Sequence, residues 1–284
     1  MENMWIFLVA IYAFLKGGRE CMKKAALKKS GTNEILFFYT LIGFIMTIPY
    51  AKVALEIDGI YIFYSFIKAF VCCVAWLFSL LAIKHMSISL YSVMDLGRMV
   101  FSTLLGVFIL REDFTIPKLI GLILVITGLL LANLKKNPGG GRASAFAIVA
   151  VLLNCLFNAI SGIFDKVLMK SISPTQLQFW FMLFMTLIYG VLLLVRREKI
   201  SFKSIKKNYW VPLMSLTLVG GDLILFYANA YPQSQVTLMT LIKQSSVIVS
   251  VLAGWLIFKE KNILYKLMCA GIVILGAAIP LIFG

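Results

Sequence analysis

The chain has 284 residues, of which 61% are hydrophobic and only 14% are charged, and its mean hydropathy is +0.96. A soluble domain is about 45–50% apolar and about 25% charged, so the composition excludes a soluble enzyme, a disordered chain and a small disulfide-rich secreted domain. It is typical of an all-α polytopic membrane protein. The 27 Lys and Arg against 12 Asp and Glu, formally +15, would suggest nucleic acid in a soluble protein. In a membrane protein the same excess marks cytoplasmic loops, so we expect no nucleic-acid partner.

Ten apolar segments are long enough to cross a bilayer, which takes roughly 20 residues per helix. They are predicted to be helices because the apolar runs far exceed the roughly 10 residues of a membrane strand and do not alternate. In chain order they are Met4–Leu27, Glu34–Leu55, Ile60–Ile83, Ile88–Leu110, Thr115–Leu134, Ser144–Met169, Pro174–Val195, Tyr209–Ala230, Gln235–Phe258 and Ile263–Phe283.

The first segment differs from the others because its uninterrupted apolar part, Met4–Leu15, spans only about 18 Å at about 1.5 Å per residue. To cross the bilayer, the helix must continue through a stretch that contains Lys16, Arg19 and Glu20. Charges at that depth are costly unless they face a watery cavity or the membrane interface.

An internal repeat runs through the chain. At a shift of 142, residues 33–39 align with 175–181, and at a shift of 148, residues 106–112 align with 254–260. We therefore divide the chain into a first five-helix repeat (1–137), a glycine-rich linker (138–142) and a second five-helix repeat (143–284). Because five is odd, the second repeat enters the membrane from the opposite side, as in the inverted repeats of many secondary transporters.

Each repeat has an acidic turn between its fourth and fifth helices, at Glu112 and at Glu260, followed by a helix that contains glycine. With the repeat and its spacing, this pattern resembles the EamA-type transporters of the drug/metabolite transporter superfamily over essentially the whole chain. The resemblance implies transport of a small molecule through a cavity between the halves. It also implies that helices one, three, four, six, eight and nine line this cavity.

Ionisable residues inside membrane helices are candidates for function because burying their charge is expensive. Asp95 and Lys243 occupy equivalent positions at the shift of 148. We expect them to face each other across the cavity, ion-paired or bridged by substrate or water in at least one state. The alternative is a structural pair that fixes helix register.

Other charged candidates have two interpretations each. The planar guanidinium group of Arg98 either binds a carboxylate or phosphate of the substrate or pairs with Asp95 one turn away. Lys16, Arg19 and Glu20 form a polar stripe that lines the cavity mouth or snorkels to the headgroups. The spacing also predicts the ion pairs Lys16–Glu20 and Glu20–Lys24.

Polar and aromatic side chains complete the predicted substrate site. Asn158 shares a helix face with Asn154 and binds substrate or holds helices together. Gln244 belongs to a polar patch on helix nine. Trp76, Tyr91 and Tyr227 are cavity walls or packing residues. The predicted substrate-binding residues are Asp95, Arg98, Lys243, Gln244, Lys16, Arg19, Glu20, Asn158, Asp222, Trp76 and Tyr91.

The intramembrane cations Lys16, Arg19, Lys68, Arg98 and Lys243 outnumber the anions Glu20, Asp95 and Asp222. A surplus of positive charge favours an anionic or zwitterionic metabolite, such as an amino acid or a sugar phosphate. Protons are a second partner if a desolvated carboxylate titrates, whereas exchange and facilitated diffusion need none. The sequence does not define an oligomeric state.

Enzymatic and cofactor functions find no support in the sequence. The single histidine, His85, and the scattered cysteines do not form a metal motif, so we expect no metal, no cofactor and no catalytic residues. A rival function remains, because the basic stripe on the first helix suits a lipid phosphate. The protein would then be a flippase, or a transport subunit that handles a lipid-linked head group during envelope assembly.

The basic residues also predict orientation. The loops after helices one, three, five, seven and nine carry most of the lysines and arginines. By the positive-inside rule these loops are cytoplasmic. We therefore expect a multi-pass protein of the cytoplasmic membrane with both termini outside the cytoplasm.

Overall fold

A computed structural model describes residues 4–110, 114–134, 144–169, 171–197, 207–229 and 242–283, and the glycine-rich linker lies outside these ranges. The described residues form helices joined by short turns, without any strand, which confirms the all-α class. The helices are α1 (Met4–Leu27), α2 (Thr32–Thr47), α3 (Ala51–Leu55), α4 (Gly59–His85), α5 (Ile88–Asp95), α6 (Arg98–Leu110), α7 (Ile116–Leu134), α8 (Ala145–Leu168), α9 (Pro174–Val195), α10 (Trp210–Asn229), α11 (Ser246–Phe258) and α12 (Ile263–Phe283).

A described helix lies in each of the ten predicted crossings, since α2 with α3 forms the second segment and α5 with α6 forms the fourth. Residues 235–241 of the ninth predicted crossing and residue 230 of the eighth lie outside the described ranges. Within the described residues, seven segments are long and apolar enough to span a membrane. The other three are α1, which carries the charges, and the shorter segments of α10 and α11. Large apolar side chains such as Phe7, Phe108 and Leu194 are exposed. A bilayer would cover them, which agrees with a polytopic membrane protein.

Three of the segments that we expected to be continuous are interrupted. Pro49 lies in a 3₁₀ turn that separates α2 from α3, because proline has no N–H for the helical hydrogen-bond ladder. Leu96 and Gly97 separate α5 from α6, and Ser245 separates α11 from a helical turn at 242–244. The Ser245 hydroxyl donates to the Ile242 carbonyl at 2.6 Å and so competes with the backbone ladder. At the shift of 148, Gly97 and Ser245 are equivalent positions.

The packing of the two halves follows a two-fold pattern. The first segment (α1) packs on the eighth (α10), and the third (α4) packs on the sixth (α8). The second packs on the seventh, and the fifth (α7) on the tenth (α12). Exchanging each helix for its repeat equivalent leaves this set of pairs unchanged, as expected for two related five-helix halves.

The helices α7 and α12 approach each other most closely at glycines. A Cβ atom on Gly121 would overlap the Gly276 carbonyl oxygen and lie 2.8 Å from Cδ of Pro280. A Cβ atom on Gly128 would lie 2.6 Å from Cγ2 of Val273. Small residues allow membrane helices to pack backbone against backbone, and here they form a tight seam between the fifth and tenth segments.

We predict that Gly121→Ala lowers the thermal unfolding temperature of the detergent-purified protein. The added methyl group must push two backbones apart, and overpacking of this kind costs about 1–3 kcal/mol. Gly271→Ala in α12 is the matched control, because nothing lies within 4 Å of a Cβ atom at that position. Equal unfolding temperatures for the two variants would show that the seam is not tightly packed.

Candidate functional site

A small polar crevice lies between α1, the break after α5 and the beginning of α11. Its volume is about 10 Å³, roughly the space that one water molecule needs. The walls are therefore in near contact, and a metabolite can enter only if the helices separate. The crevice is lined by Lys16, Glu20, Tyr91, Ser92, Asp95, Leu96, Arg98, Gln244, Ser246, Val247 and Ser250.

Asp95 is the centre of a hydrogen-bond network that joins the two halves. Its carboxylate forms an ion pair with Arg98 one turn away. The Asn154 amide on α8 donates to Asp95 Oδ1 at 2.8 Å, and the Asn158 amide donates to Asn154 Oδ1 at 2.7 Å. Asn158 therefore supports the site through Asn154 and is not itself a lining residue.

Tyr91 lines the crevice one turn before Asp95. Its hydroxyl lies 2.6 Å from the Ser79 hydroxyl of α4 and accepts a long hydrogen bond of 3.5 Å from Asn154. The Tyr91 side chain is fully enclosed. It is thus a fixed part of the wall, held by α4 and α8.

The charges on α1 are paired differently from the pattern that helical spacing predicts. Lys16 and Glu20 line the crevice, but the ion pair of Glu20 is with Lys23, three residues on, at 2.9 Å. Lys24, predicted to pair with Glu20, instead pairs with Glu260 of the second half at 3.2 Å. The prediction failed because it considered neighbours on one helix, whereas another element supplies the closer carboxylate.

Arg19 is buried on a neighbouring face of α1, with 8% of its surface exposed, so it does not snorkel to the headgroups. It interacts electrostatically with Asp222 of α10 and with Tyr12 and Tyr39. Its Nη1 atom makes no hydrogen bond to the described residues. Neither Arg19 nor Asp222 is in the crevice lining.

Gln244 and Lys243 lie just before the break in the ninth segment. Gln244 lines the crevice and is 9% exposed, and its Oε1 atom has no hydrogen-bond partner among the described residues. In the described part of the chain, Lys243 has no carboxylate within ion-pair distance. In this conformation Asp95 binds Arg98 and Asn154, so the expected Asp95–Lys243 contact stays a prediction for another state.

Two aromatic residues lie elsewhere than the cavity walls suggested for them. Trp76 packs against Tyr39 and Phe181, with ring centroids 5.1 and 6.1 Å apart, and so belongs to an apolar core. Tyr227 is 69% exposed and faces away from the protein. Hydropathy does not show which face of a helix is turned inward, and both assignments depended on that face.

Four further lining residues were not expected from the sequence: Ser92, Leu96, Val247 and Ser250. The two serine hydroxyls donate to carbonyls of their own helices at 2.9 and 2.8 Å, so they add little net polarity. Their only sequence signal is a position within one or two turns of Asp95 or of Gln244. Lys68 was named only for its charge, and it is buried beside Asp165 at 3.1 Å and over the Phe181 ring.

The lining charges sum to zero, because Lys16 and Arg98 oppose Glu20 and Asp95. The surplus that the sequence indicated is carried by residues outside the lining, such as Arg19, Lys68 and Lys243. The arrangement thus offers a carboxylate and a cation to any solute that enters. No cluster of described histidine, cysteine, aspartate and glutamate side chains is suited to a metal ion.

Comparisons with known proteins agree with the resemblance in sequence. The model of the EamA-like transporter family matches residues 3–134 and again residues 145–282. A solved structure titled "Crystal structure of protein" is 12% identical, with a TM-score of 0.66 over 96% of this chain and 95% of that one. No curated protein matches the sequence. Since the family model covers nearly the whole chain in two copies, this protein belongs to the EamA-like transporter family.

Proposed function

We propose that this membrane transporter carries a small zwitterionic metabolite, such as an amino acid, across the cytoplasmic membrane by alternating access. The observation that carries the proposal is the charge-balanced crevice between the two halves. Lys16 and Arg98 suit a carboxylate, and Asp95 and Glu20 suit an ammonium group. The second five-helix repeat contributes Gln244, whose Oε1 atom accepts no hydrogen bond from the described residues and is a further acceptor for an ammonium group.

An anionic solute such as a sugar phosphate is the weaker choice. It would leave Asp95 and Glu20 facing a negative ligand, and like charges brought together in a desolvated site are costly. Arg19, whose Nη1 has no hydrogen-bond partner in the described residues, is the group that could favour it. Arg19 is outside the lining, however, so an anion would reach it only after a larger rearrangement.

We predict that neutral amino acids raise the unfolding temperature of the purified protein in proportion to the logarithm of their concentration above the dissociation constant. The amide of an active amino acid lacks the carboxylate, and its hydroxy-acid analogue lacks the ammonium group, so neither should stabilise. Stabilisation by sugar phosphates alone would contradict the zwitterionic assignment. Uptake with and without a pH gradient would then separate proton coupling from exchange or facilitated diffusion.

We predict that Asp95→Asn and Arg98→Gln each destabilise the protein more than the double variant does. Removing one partner of this partly buried pair leaves an uncompensated charge, at a cost below the roughly 3–5 kcal/mol of a fully buried one, whereas removing both does not. All three variants should lose solute-induced stabilisation, since the double variant restores the fold but not the charges. A double variant that still binds solute would reduce Asp95 and Arg98 to a structural role.

A second candidate function has one observation in its favour. A groove of about 520 Å³ has an apolar wall on α4 and the cation Arg196 at the end of α9. An apolar wall beside a cation suits a lipid with an anionic head group, as the flippase alternative requires. The same thermal-shift screen tests this function, because lipid-linked sugars would stabilise the protein where amino acids do not. The groove is lined by Gly31, Thr32, Asn33, Val74, Leu77, Phe78, Leu81 and Arg196.

The orientation is also a proposal and has a direct test. With the loops after helices one, three, five, seven and nine in the cytoplasm, Gly284 lies outside it. We predict that alkaline phosphatase fused after Gly284 is active and that a fluorescent reporter which matures only in the cytoplasm is dark. The opposite pair of results would reverse the orientation.

A further inference from the structure

Glu260 lies in the turn between α11 and α12, and its side chain is only 8% exposed. Its Oε1 accepts a hydrogen bond from the Ile88 N–H at 2.7 Å, and its Oε2 accepts one from the Ser89 N–H at 3.0 Å. The Ser89 hydroxyl also donates to Oε2. A carboxylate from the second half of the chain thus caps the N-terminus of α5 in the first half, where helices leave N–H groups unsatisfied.

Two lysines complete this contact. The Lys24 ammonium of α1 lies 3.2 Å from Glu260 Oε1 and donates to the Met86 carbonyl at 3.0 Å. The Lys266 ammonium of α12 lies 3.7 Å from Oε2 and donates to the Ser87 hydroxyl at 3.2 Å. One carboxylate therefore connects α1, α5 and α12.

The backbone around Glu260 is shaped for this contact. Gly254 of α11 passes so close that a Cβ atom there would lie 2.8 Å from the Ser89 hydroxyl oxygen. Lys259 has a φ of 53°, and this left-handed residue ends α11. Burial raises the pKa of Glu260, but the hydrogen bonds from Ser89 and the charge of Lys24 outweigh burial and hold the pKa below its ordinary value. Glu260 is therefore ionised at neutral pH.

The helix that Glu260 caps leads directly to the crevice. From its capped end, α5 runs for eight residues to Asp95, and the interruption at Leu96 and Gly97 follows immediately. Tyr91, Ser92 and Asp95 all line the crevice. Thus α5 has an anchored N-terminus, a break in the helix at its C-terminus and crevice-lining side chains between them.

We propose that Glu260 is a positioning residue that anchors α5 in the closed arrangement, so that opening of the crevice and release of α5 from Glu260 are coupled. The contact lies at the helix ends that the loops after the first, third and ninth predicted segments join. These loops are among those rich in lysine and arginine. Release would open the protein on that side. The inference rests on the proposed transport function for its purpose, but the contact can be tested without a solute.

The reactivity of the five cysteines can report which part of the protein opens, because all five are buried and none is in a disulfide. Cys21 lies on α1 one turn before Lys24, and its thiol contacts the Ser250 carbonyl at 3.7 Å. Cys72 and Cys73 lie in a different apolar core, formed mainly by α2, α4, α9 and α10. Cys155 of α8 contacts the Met94 and Asp95 carbonyls at 3.6 and 3.5 Å. A local opening at α5 should therefore expose Cys21 and Cys155, whereas general unfolding should expose all five cysteines.

The experiment measures the rate at which a hydrophilic maleimide modifies each cysteine of the full-length protein in detergent, quantified by mass spectrometry. Glu260→Gln loses both ion pairs and removes the charge that strengthens the three hydrogen bonds from Ile88 and Ser89, since hydrogen bonds to charged groups are the stronger ones. We expect Cys21 to react at least about tenfold faster in this variant, with Cys72 and Cys73 unchanged. Glu56→Gln is the matched control, since Glu56 is exposed, and it should react like the natural protein.

An unchanged Cys21 rate in Glu260→Gln would overturn the proposal, and so would a parallel increase at Cys72 and Cys73, which would make Glu260 a general structural residue. If Glu260→Gln does not fold, Lys24→Gln keeps the cap on α5 and removes one ion pair, and the same selective but smaller rise is expected. Failure to find any solute would count against the transport function and leave the Glu260 result standing.

Discussion

Charges on a membrane helix need partners, because an unpaired charge in the bilayer costs several kcal/mol. In this protein α1 carries several such charges, and other elements supply part of their partners. Lys24 is paired with Glu260 of the second half. Lys16 shares the crevice with Asp95, and Arg19 interacts with Asp222 of α10. The charged surface of α1 thus explains why this helix contacts both halves and why the polar crevice lies beside it.

The scaffold is nearly symmetric, but the chemistry placed on it is not. Breaks in the fourth and ninth segments fall at the equivalent positions Gly97 and Ser245, yet Asp95 corresponds to Lys243 and Arg98 to Ser246. On the first and sixth segments, Lys16 corresponds to Asn158 at the shift of 142. Equivalent backbones can produce two related conformations, whereas unequal side chains let a single site distinguish the two ends of an asymmetric solute.

Hydropathy predicted most of the fold, since α9 and α12 begin and end at the predicted residues and each predicted segment contains a described helix. It could not predict the interruption at Leu96 and Gly97, because a helix with a local break has the same apolar composition as a continuous one. Six of the residues expected to bind substrate line the crevice, and each is a polar group inside an apolar run; their role in binding stays a prediction. The pairing of Lys24 was predicted wrongly because it depends on a tertiary neighbour, Glu260. The choice between wall and packing residue for Trp76 depends on tertiary neighbours in the same way.

The contacts between the two halves are of two physical kinds, and they differ in how they respond to separation. The seam between α7 and α12 is backbone against backbone at Gly121 and Gly276. Lipid tails cannot recover that close packing if the helices part, so separation there loses contact energy outright. The contacts of α5 and α1 around Asp95 and Glu260 are hydrogen bonds and ion pairs. Water or a charged solute can replace these, at a smaller net cost. The two halves are therefore held firmly along the α7–α12 seam. Along the contacts of α1 and α5, where the crevice lies, water or solute can replace the interactions.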